Sequence, residues 1–557
     1  MPLELACLQK DFPDLIPETI LGRHGETAYR LRLPRFNLGR EFGWAEVRIP
    51  RGFPEDGVAR IALSPDAILR IPHVEEGGYL CISGDPGPAS GLSANDRLLT
   101  LLIAYQEQFL EPWQQGELDD DFRKEPLNYW AIFCERAKSS NNPAAGVWTV
   151  DSSPDHPRIH NGILVFPKRI VIAGDSSVPL VDRMIRSLGN QAKQQCYVLI
   201  AEIPINDPLT PRTWPSTYDD LMRLLQSYFT PLEHDRFYTT QGRRGRSPHR
   251  IALLRNQSYA IAYLLPGGPP TRIDDGDRAK TYPSRTTLLP LPVFRIDPAW
   301  MVGRDQHREV ESRQGRHVLI LGAGALGSQG VEHLAKAGVG KITLVDDDTL
   351  VPANLGRHLL GAESIGMKKA ESVAKRVNLA HPSAVVTPFV MKAEKWLKGN
   401  SLASVDLVLD LTGEPDVRWL VDQARRLHPC PCLIGWMEPF VAAAHVCRLP
   451  PGTLWLQDDG DAMTELEAVD WPDEVIRQEP GCSSRFQSYT AVAAAYTVAM
   501  VAESALLMLD TGSANAQVAS WVRGQQYLDA HWPGLSLRDW ARPAAPHNGI
   551  LIERPFP

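Results

Sequence analysis

Residues 317–348, HVLILGAGALGSQGVEHLAKAGVGKITLVDDD, decide the fold of the C-terminal half of the chain. An apolar run, Val318 to Leu321, leads into Gly322, Gly324 and Gly327, and a helical stretch follows that ends at Gly338. Strand, tight turn and helix in that order point backbone N–H groups and the positive end of the helix dipole at a phosphate. A second apolar run, Ile342 to Val345, ends in Asp346, Asp347 and Asp348. An acid at that strand end is placed to accept a hydrogen bond from a ribose hydroxyl. To this point the pattern fits an NAD enzyme as well as an ATP enzyme.

The residues that follow separate the two. Asn354 and Arg357 come next, then Lys369 on a helix expected over Ser364 to Leu379. A dinucleotide site needs no cations just beyond its ribose acid. Cleavage of ATP between its α- and β-phosphates does, because charge accumulates on those oxygens in the transition state. The order of glycines, aspartates, asparagine, arginine and lysine resembles the adenylating domain of ubiquitin-activating enzymes and their bacterial relatives of molybdopterin and thiamine synthesis. The likeness runs from about Trp300 into the late 500s. It implies ATP and Mg2+ as cofactors, with Gly322, Gly324 and Gly327 around the phosphates, Asp346 or Asp348 on the ribose, and Asn354, Arg357 and Lys369 on the phosphates. That family carries a magnesium-binding aspartate just after the next strand, where this chain has glycine in DLVLDLTGE, residues 406–414. Asp410 is expected to hold the metal instead, with Glu414 and Asp416 as alternatives.

At 557 residues the chain is too long for one core. Its Pro, Gly and Ser clusters suggest a multidomain α/β and α+β protein: residues 1–145, 146–299 and 300–557, the last a Rossmann-like adenylating domain. A net charge of −8 with mixed signs argues against a nucleic-acid binder. Eight cysteines without a C-x-x-C pair suggest neither a structural zinc site nor a disulfide framework. The start, MPLELACLQKDFPD, lacks the pattern of a signal peptide, and the apolar stretch Ala491 to Leu507 is interrupted by Glu503. A cytoplasmic protein with a buried helix there, and no membrane partner, is the expectation.

The first region alternates strand-like runs (Tyr29 to Leu33, Ala45 to Ile49, Ala59 to Leu63) with turns, then gives a helix capped by Ser93 with Asp96. Within it, FPEDGVARIALSPDAILRIPHVEEGGYLCISGD, residues 53–85, resembles the ubiquitin-conjugating fold around its active cysteine. Pro72-His73 match the turn and Gly78-Tyr79-Leu80-Cys81 the approach to the nucleophile, although Val74 stands where that family has asparagine. The likeness implies that Cys81 accepts an acyl group as a thioester, which suits a nucleophilic thiolate that also leaves readily. The middle region offers strands at 170–174 and 196–203 and a helix at Tyr218 to Tyr228, but no legible chemistry.

An acyl-adenylate needs a nearby thiol to become a thioester. Cys482, in EPGCSSRFQSYTAV after an acidic, turn-rich crossing segment and before an expected helix at Tyr489 to Leu507, is the candidate. A cysteine near a helix start gains a lower thiol pKa, and Gly481 allows close backbone approach. Cys430, Cys432 and Cys447 read as core.

A conjugating-like domain, an intermediate domain and an activating domain with its own cysteine, in that order, resemble the fused ubiquitin-transfer enzymes of type II CBASS antiphage operons. That resemblance implies adenylation of a protein C-terminus, relay through both cysteines, and conjugation to a target amine. It implies a cGAS-like nucleotidyltransferase as the substrate, a dedicated ubiquitin-like protein being the alternative. It also implies a homodimer with an arginine supplied by the partner subunit, for which Arg304, Arg308 and Arg313 are candidates.

Overall fold

The computed structural model describes residues 9–10, 13, 15–21, 26–32, 44–138, 144–151, 154–174, 177–188, 196–239, 249–265, 270–273, 280–283, 288–457, 460–475, 477–478, 485–486, 489–512 and 515–557. The chain divides into two compact units. One comprises Met1–Asp175 with Lys193–Phe294, the other Ser176–Ala192 with Arg295–Pro557.

Among the described residues the first unit holds a four-stranded sheet, an eight-stranded sheet and a two-stranded hairpin. Strands β1 (Leu15–Leu21), β2 (Thr27–Arg32), β3 (Trp44–Ile49) and β4 (Arg60–Ala62) form an antiparallel meander in that order. Alternating residues such as Tyr29, Leu31, Ala45 and Val47 face a core closed by helix Ala94–Tyr105, which contributes Leu98, Leu101 and Leu102. Ser93 caps that helix as expected, its hydroxyl accepting from the Asp96 N–H at 3.2 Å. A buried ion pair ties the layer together: Arg97 donates to both Asp85 oxygens at 2.6 and 2.7 Å and to the Gly57 carbonyl, while Asp85 also accepts from the Ala59 N–H.

The second sheet has eight strands: β5 (Gly146–Thr149), β6 (Arg158–Val165), β7 (Ile170–Ala173), β8 (Cys196–Pro204), β9 (His249–Arg255), β10 (Ala260–Leu265) and, after a separate hairpin of β11 (Pro270–Ile273) and β12 (Lys280–Pro283), β13 (Leu289–Leu291) and β14 (Val293–Arg295). Their order is β13-β10-β9-β8-β6-β7-β5-β14. Helix Pro126–Arg136 explains why residues on either side of 145 share a unit. Trp130 is buried among Tyr263, Trp214 and Phe133, and its indole N–H donates to the Leu291 carbonyl at 2.9 Å. An element from the first 145 residues thus completes the core of the eight-stranded sheet.

The second unit is built on another eight-stranded sheet, of β15 (His317–Leu321), β16 (Lys341–Val345), β17 (Val385–Phe389), β18 (Leu407–Asp410), β19 (Cys432–Met437), β20 (Ala443–Leu449), β25 (Gln517–Val522) and β26 (Ile550–Pro555); the short pairs β21 (Leu456–Gln457) with β22 (Gly460–Asp461) and β23 (Arg477–Gln478) with β24 (Arg485–Phe486) lie between β20 and β25 in the chain. The order is β17-β16-β15-β18-β19-β20-β25-β26, the first five parallel. The chain runs outward from β15 through β16 to β17 and then returns to place β18 on the other side. That reversal makes a crevice at the carboxyl ends of β15, β16 and β18, where open α/β sheets bind ligands. The helix at the expected Ser364 start begins instead at Lys369 and runs to Ala380. Gly366, at φ 82°, breaks the backbone, and a bridge between Thr349 and Lys368 holds the preceding residues extended. Helix Ala491–Thr511 is long and apolar enough to cross a membrane, yet 61% of its apolar window is buried, with Val498, Val501, Ala505 and Met508 in the core of this sheet.

Candidate functional site

The crevice of the second unit collects the residues singled out beyond β15 and β16. Gly322 has φ 93° and opens the turn, and helix Ala325–Lys336 follows with Gly324 as its N-cap residue and no side chain capping it. A Cβ on Gly327 would lie 1.8 Å from the Gly322 carbonyl oxygen, so only glycine lets the helix sit this close to the turn. Around Gly324 nothing lies within 4 Å of where a Cβ would stand. The helix start thus has no side-chain cap and no crowding at Gly324, which suits the approach of an anion.

The acids divide their labour. Asp346 is mostly buried and uses both oxygens on backbone: Oδ2 accepts from the Ala323 N–H at 2.6 Å and Oδ1 from the Asp348 N–H at 2.8 Å. Burial raises its pKa above the ordinary carboxylate value. Asp348 is two-thirds exposed and pairs at 2.7 Å with the Nζ of Lys369, itself only 9% exposed. Of the two acids proposed for the ribose, Asp348 is the one with an oxygen open to a ligand. Asn354 spends its side-chain oxygen on the Val351 N–H at 3.2 Å, which shapes the turn that carries Arg357. The Arg357 guanidinium lies over the Tyr489 ring, 5.1 Å from its centroid, and its carbonyl accepts from the Gln329 side chain.

Asp410 ends β18. Its Oδ1 accepts from the N–H and hydroxyl of Thr412 at 3.0 and 2.6 Å, and its Oδ2 is buried without a protein partner. Burial raises this carboxyl's pKa. An orphaned carboxylate oxygen beside the glycine turn fits a cation that takes its remaining ligands from phosphate and water. Glu414 and Asp416 are exposed beyond it, and among the described residues no group of three His, Cys, Asp or Glu is arranged for a metal. Of the arginines suggested for a partner subunit, Arg313 is held by Asp510 at 2.9 and 2.5 Å and by the Ala337 carbonyl. Arg304 and Arg308 are exposed. Cys430, Cys432 and Cys447 are buried, as read. Cys482 lies outside the described residues.

The first unit holds the second site. Cys81 is exposed on a cleft lined by His73, Glu75, Glu125, Asn128, Tyr129 and Ile132. Gly78, at φ 85°, accepts from the Leu63 N–H and leaves no room for a side chain, since a Cβ would be 2.3 Å from the Leu63 carbonyl. His73 is strained at φ 60° and held there from three sides. Its N–H donates to the Tyr129 hydroxyl at 2.9 Å, its carbonyl accepts from the Cys81 N–H at 2.7 Å, and its Nδ1–H donates to the Cys81 carbonyl at 2.9 Å. Tyr129 in turn donates to Asp121 at 2.5 Å, and His73 Nε2 is 3.5 Å from the same carboxylate. Partial burial, then Glu75, Glu125 and Asp121, push the Cys81 thiol above its ordinary value. Sequence reasoning missed Tyr129, Asp121 and Asn128 because they lie on or near helix Pro126–Arg136, far along the chain from the cysteine.

A sequence profile described as the ThiF family matches residues 302–511. The crevice therefore sits in a ThiF-family domain. Among curated proteins, the adenylyltransferase and sulfurtransferase UBA4 of Yarrowia lipolytica is 37% identical over 118 residues, 21% of this chain and 30% of its own. The ATP-dependent ubiquitin transferase-like protein Cap2 of Pseudomonas aeruginosa is 28% identical over 230 residues, 39% of this chain and 40% of its own. The SAMP-activating enzyme E1 of Haloferax volcanii is 32% identical over 136 residues, 24% of this chain and 50% of its own. The match thus spans between 30% and 50% of the length of these relatives. The crystal structure of E. coli MccB with ATP overlaps 42% of this chain and 65% of its own at TM-score 0.31 and 16% identity.

Proposed function

We propose that the chain is an ATP-dependent protein-conjugating enzyme, with the ThiF-family domain as its adenylating part. The observation that carries this reading is the pairing, in one chain, of a glycine turn flanked by Arg357 and Lys369 with an exposed cysteine, Cys81, whose loop is braced by a strained histidine.

In the first step a protein's C-terminal carboxylate attacks the α-phosphate of ATP. A bond forms from carboxylate oxygen to phosphorus, the bond from that phosphorus to the bridging oxygen breaks, and pyrophosphate leaves. The helix-start amides, Arg357 and Lys369 offset the charge that gathers on the phosphates. Asp348 receives the ribose, and Asp410 is the residue suited to hold Mg2+, which when bound supplies neutralisation of phosphate charge. In the second step the Cys482 thiolate attacks the acyl carbon and AMP leaves with the mixed-anhydride oxygen. The acyl group then passes by thiol exchange to Cys81, and a lysine amine displaces that sulfur to form an amide. The acids around Cys81 raise its thiol pKa, attract a lysine ammonium, and stand ready to take the proton it must lose before attack. By resemblance the activated C-terminus belongs to a cGAS-like nucleotidyltransferase in a cytoplasmic CBASS system. The assembly is a homodimer in which an exposed arginine, Arg304 or Arg308, crosses to the neighbouring active site.

A Cys81→Ala variant, expressed with its operon neighbours and run on non-reducing gels, tests the relay. A thiol-sensitive adduct that vanishes when Cys482 is also replaced supports it, and mass spectrometry of the adduct names the substrate. Bound ATP with no adduct would leave an ATP-binding scaffold as the better reading.

A further inference from the structure

His358 follows Arg357 and reaches back across the crevice to the glycine turn. Its two ring nitrogens have different partners, and these assign the tautomer. The Leu360 N–H donates to Nδ1 at 3.1 Å, so Nδ1 carries no proton. The proton is therefore on Nε2, which donates to the Ala323 carbonyl at 2.7 Å. An acceptor Nδ1 and a donor Nε2 make this a neutral imidazole, and burial, with Lys369 acting against the Ala323 hydrogen bond, lowers its pKa in the same sense.

Ala323 stands between Gly322 and Gly324, and its two peptide groups are gripped from opposite directions. Its N–H is held by Asp346 and its C=O by His358. In a planar trans peptide the carbonyl and the following N–H point opposite ways. Fixing the Ala323 carbonyl on His358 therefore fixes the direction of the Gly324 N–H, which has no protein partner among the described residues and belongs to the uncapped start of helix Ala325–Lys336. Without that grip, the Ala323–Gly324 peptide turns about ψ of Ala323 and φ of Gly324, and the glycine offers that rotation little steric resistance. The same segment is fastened to the helix at two further points, Gln329 to the Arg357 carbonyl at 3.2 Å and the Leu359 N–H to the Ser328 hydroxyl at 3.3 Å.

We propose that His358 is a positioning residue for the nucleotide phosphates: it aims the Gly324 amide into the crevice and couples the glycine turn to the segment that carries Arg357. The inference rests on the ATP reading of the crevice. It makes a chemical distinction that a packing role does not. The essential group is a donor at the Nε2 position, not an acceptor at the Nδ1 position. Glutamine places an amide N–H near Nε2, whereas asparagine is too short to reach Ala323 but places an oxygen near Nδ1.

The experiment measures equilibrium binding of ATP and of adenosine to the full chain and to its H358Q, H358N and H358A variants, with melting temperatures alongside. Adenosine lacks the phosphates, so the ratio of the two dissociation constants isolates their contribution. H358N and H358A are expected to lose about tenfold in that ratio, the size of one charge-assisted hydrogen bond, with adenosine binding unchanged. H358Q is expected to stay close to the parent. An unchanged ratio in a folded H358A, or rescue by asparagine equal to that by glutamine, overturns the inference. Should H358A not fold, the Gln and Asn pair decides alone. A parent chain that binds adenosine as well as ATP removes the phosphate reading of the crevice and this inference with it. A parent that prefers ATP while every variant keeps that preference removes only the role of His358.

Discussion

The two candidate sites solve opposite electrostatic problems. The crevice of the ThiF-family domain is assembled from backbone amides and cations: an uncapped helix start, Lys369 and Arg357. The cleft around Cys81 is assembled from acids: Glu75, Glu125 and Asp121. One offers donors and positive charge to a ligand, the other negative charge around a thiol. The supporting structure differs as well. In the crevice both oxygens of Asp346 and one oxygen of Asp410 hold turns beside the glycines. In the cleft a strained histidine is braced by a tyrosine and an aspartate from another part of the chain. The crevice thus stands on local loops at strand ends, and the cleft on a contact between distant segments.

The sharpest way to break the comparison is to remove each site's reacting group and assay both activities. Cys81→Ala is expected to reduce conjugate formation by about a thousandfold or more while leaving ATP–pyrophosphate exchange unchanged. Loss of both activities would show that the sites are not separable. A second test removes a buried ion pair of the first unit. Arg97→Ala leaves Asp85 buried without its cation, so denaturant titration is expected to show the first unit less stable by about 3–5 kcal/mol. The counterpart in the crevice is Arg357→Ala, expected to slow ATP–pyrophosphate exchange by about a hundredfold. Alkylation of Cys81 should not change in that variant, and a change would tie the two sites together.

The smallest effect tests the charge of the cleft itself. The thiol's pKa is raised, so at pH 8 Cys81 is expected to react with iodoacetamide more slowly than a free cysteine, and to gain rate as pH rises beyond the ordinary thiol value. Removing a neighbouring negative charge lowers a thiol's pKa. Glu75→Gln should therefore speed alkylation at pH 8 by about two- to threefold. A slower rate would mean that Glu75 does not act on the thiol through its charge.

How much was legible depended on where each residue's partners lie along the chain. The strand, glycine turn and helix of 317–336 and the second strand at 341–345 follow from apolar runs and glycine spacing. Helix Tyr218–Tyr228 was read with the same ends, because its signal is a local capping pattern that Thr217 and Asp220 fulfil. The start of the next crevice helix was misplaced to Ser364, because Gly366 and a bridge from Thr349 to Lys368 override an otherwise helical composition. Cys81 was visible as a cysteine in a recognisable setting. The hydroxyl that holds its histidine was not, since Tyr129 is 56 residues further on.

The sequence by itself determined the elements and the inventory of the crevice: which strands, which glycines, which acids and cations, in what order. These are matters of period, spacing and residue chemistry, and they act over a few residues. Tertiary structure decided the assignments within that inventory. It gave Asp346 to the glycine turn and left Asp348 exposed and paired with Lys369, locked Arg313 onto Asp510, set His358 against Ala323, and packed Trp130 from the first 145 residues against the eight-stranded sheet. The physical reason is that a polar group's role depends on which of its hydrogen-bonding positions remain open after folding. Those positions are closed by partners from other segments, brought close by burial of the strands and helices between them.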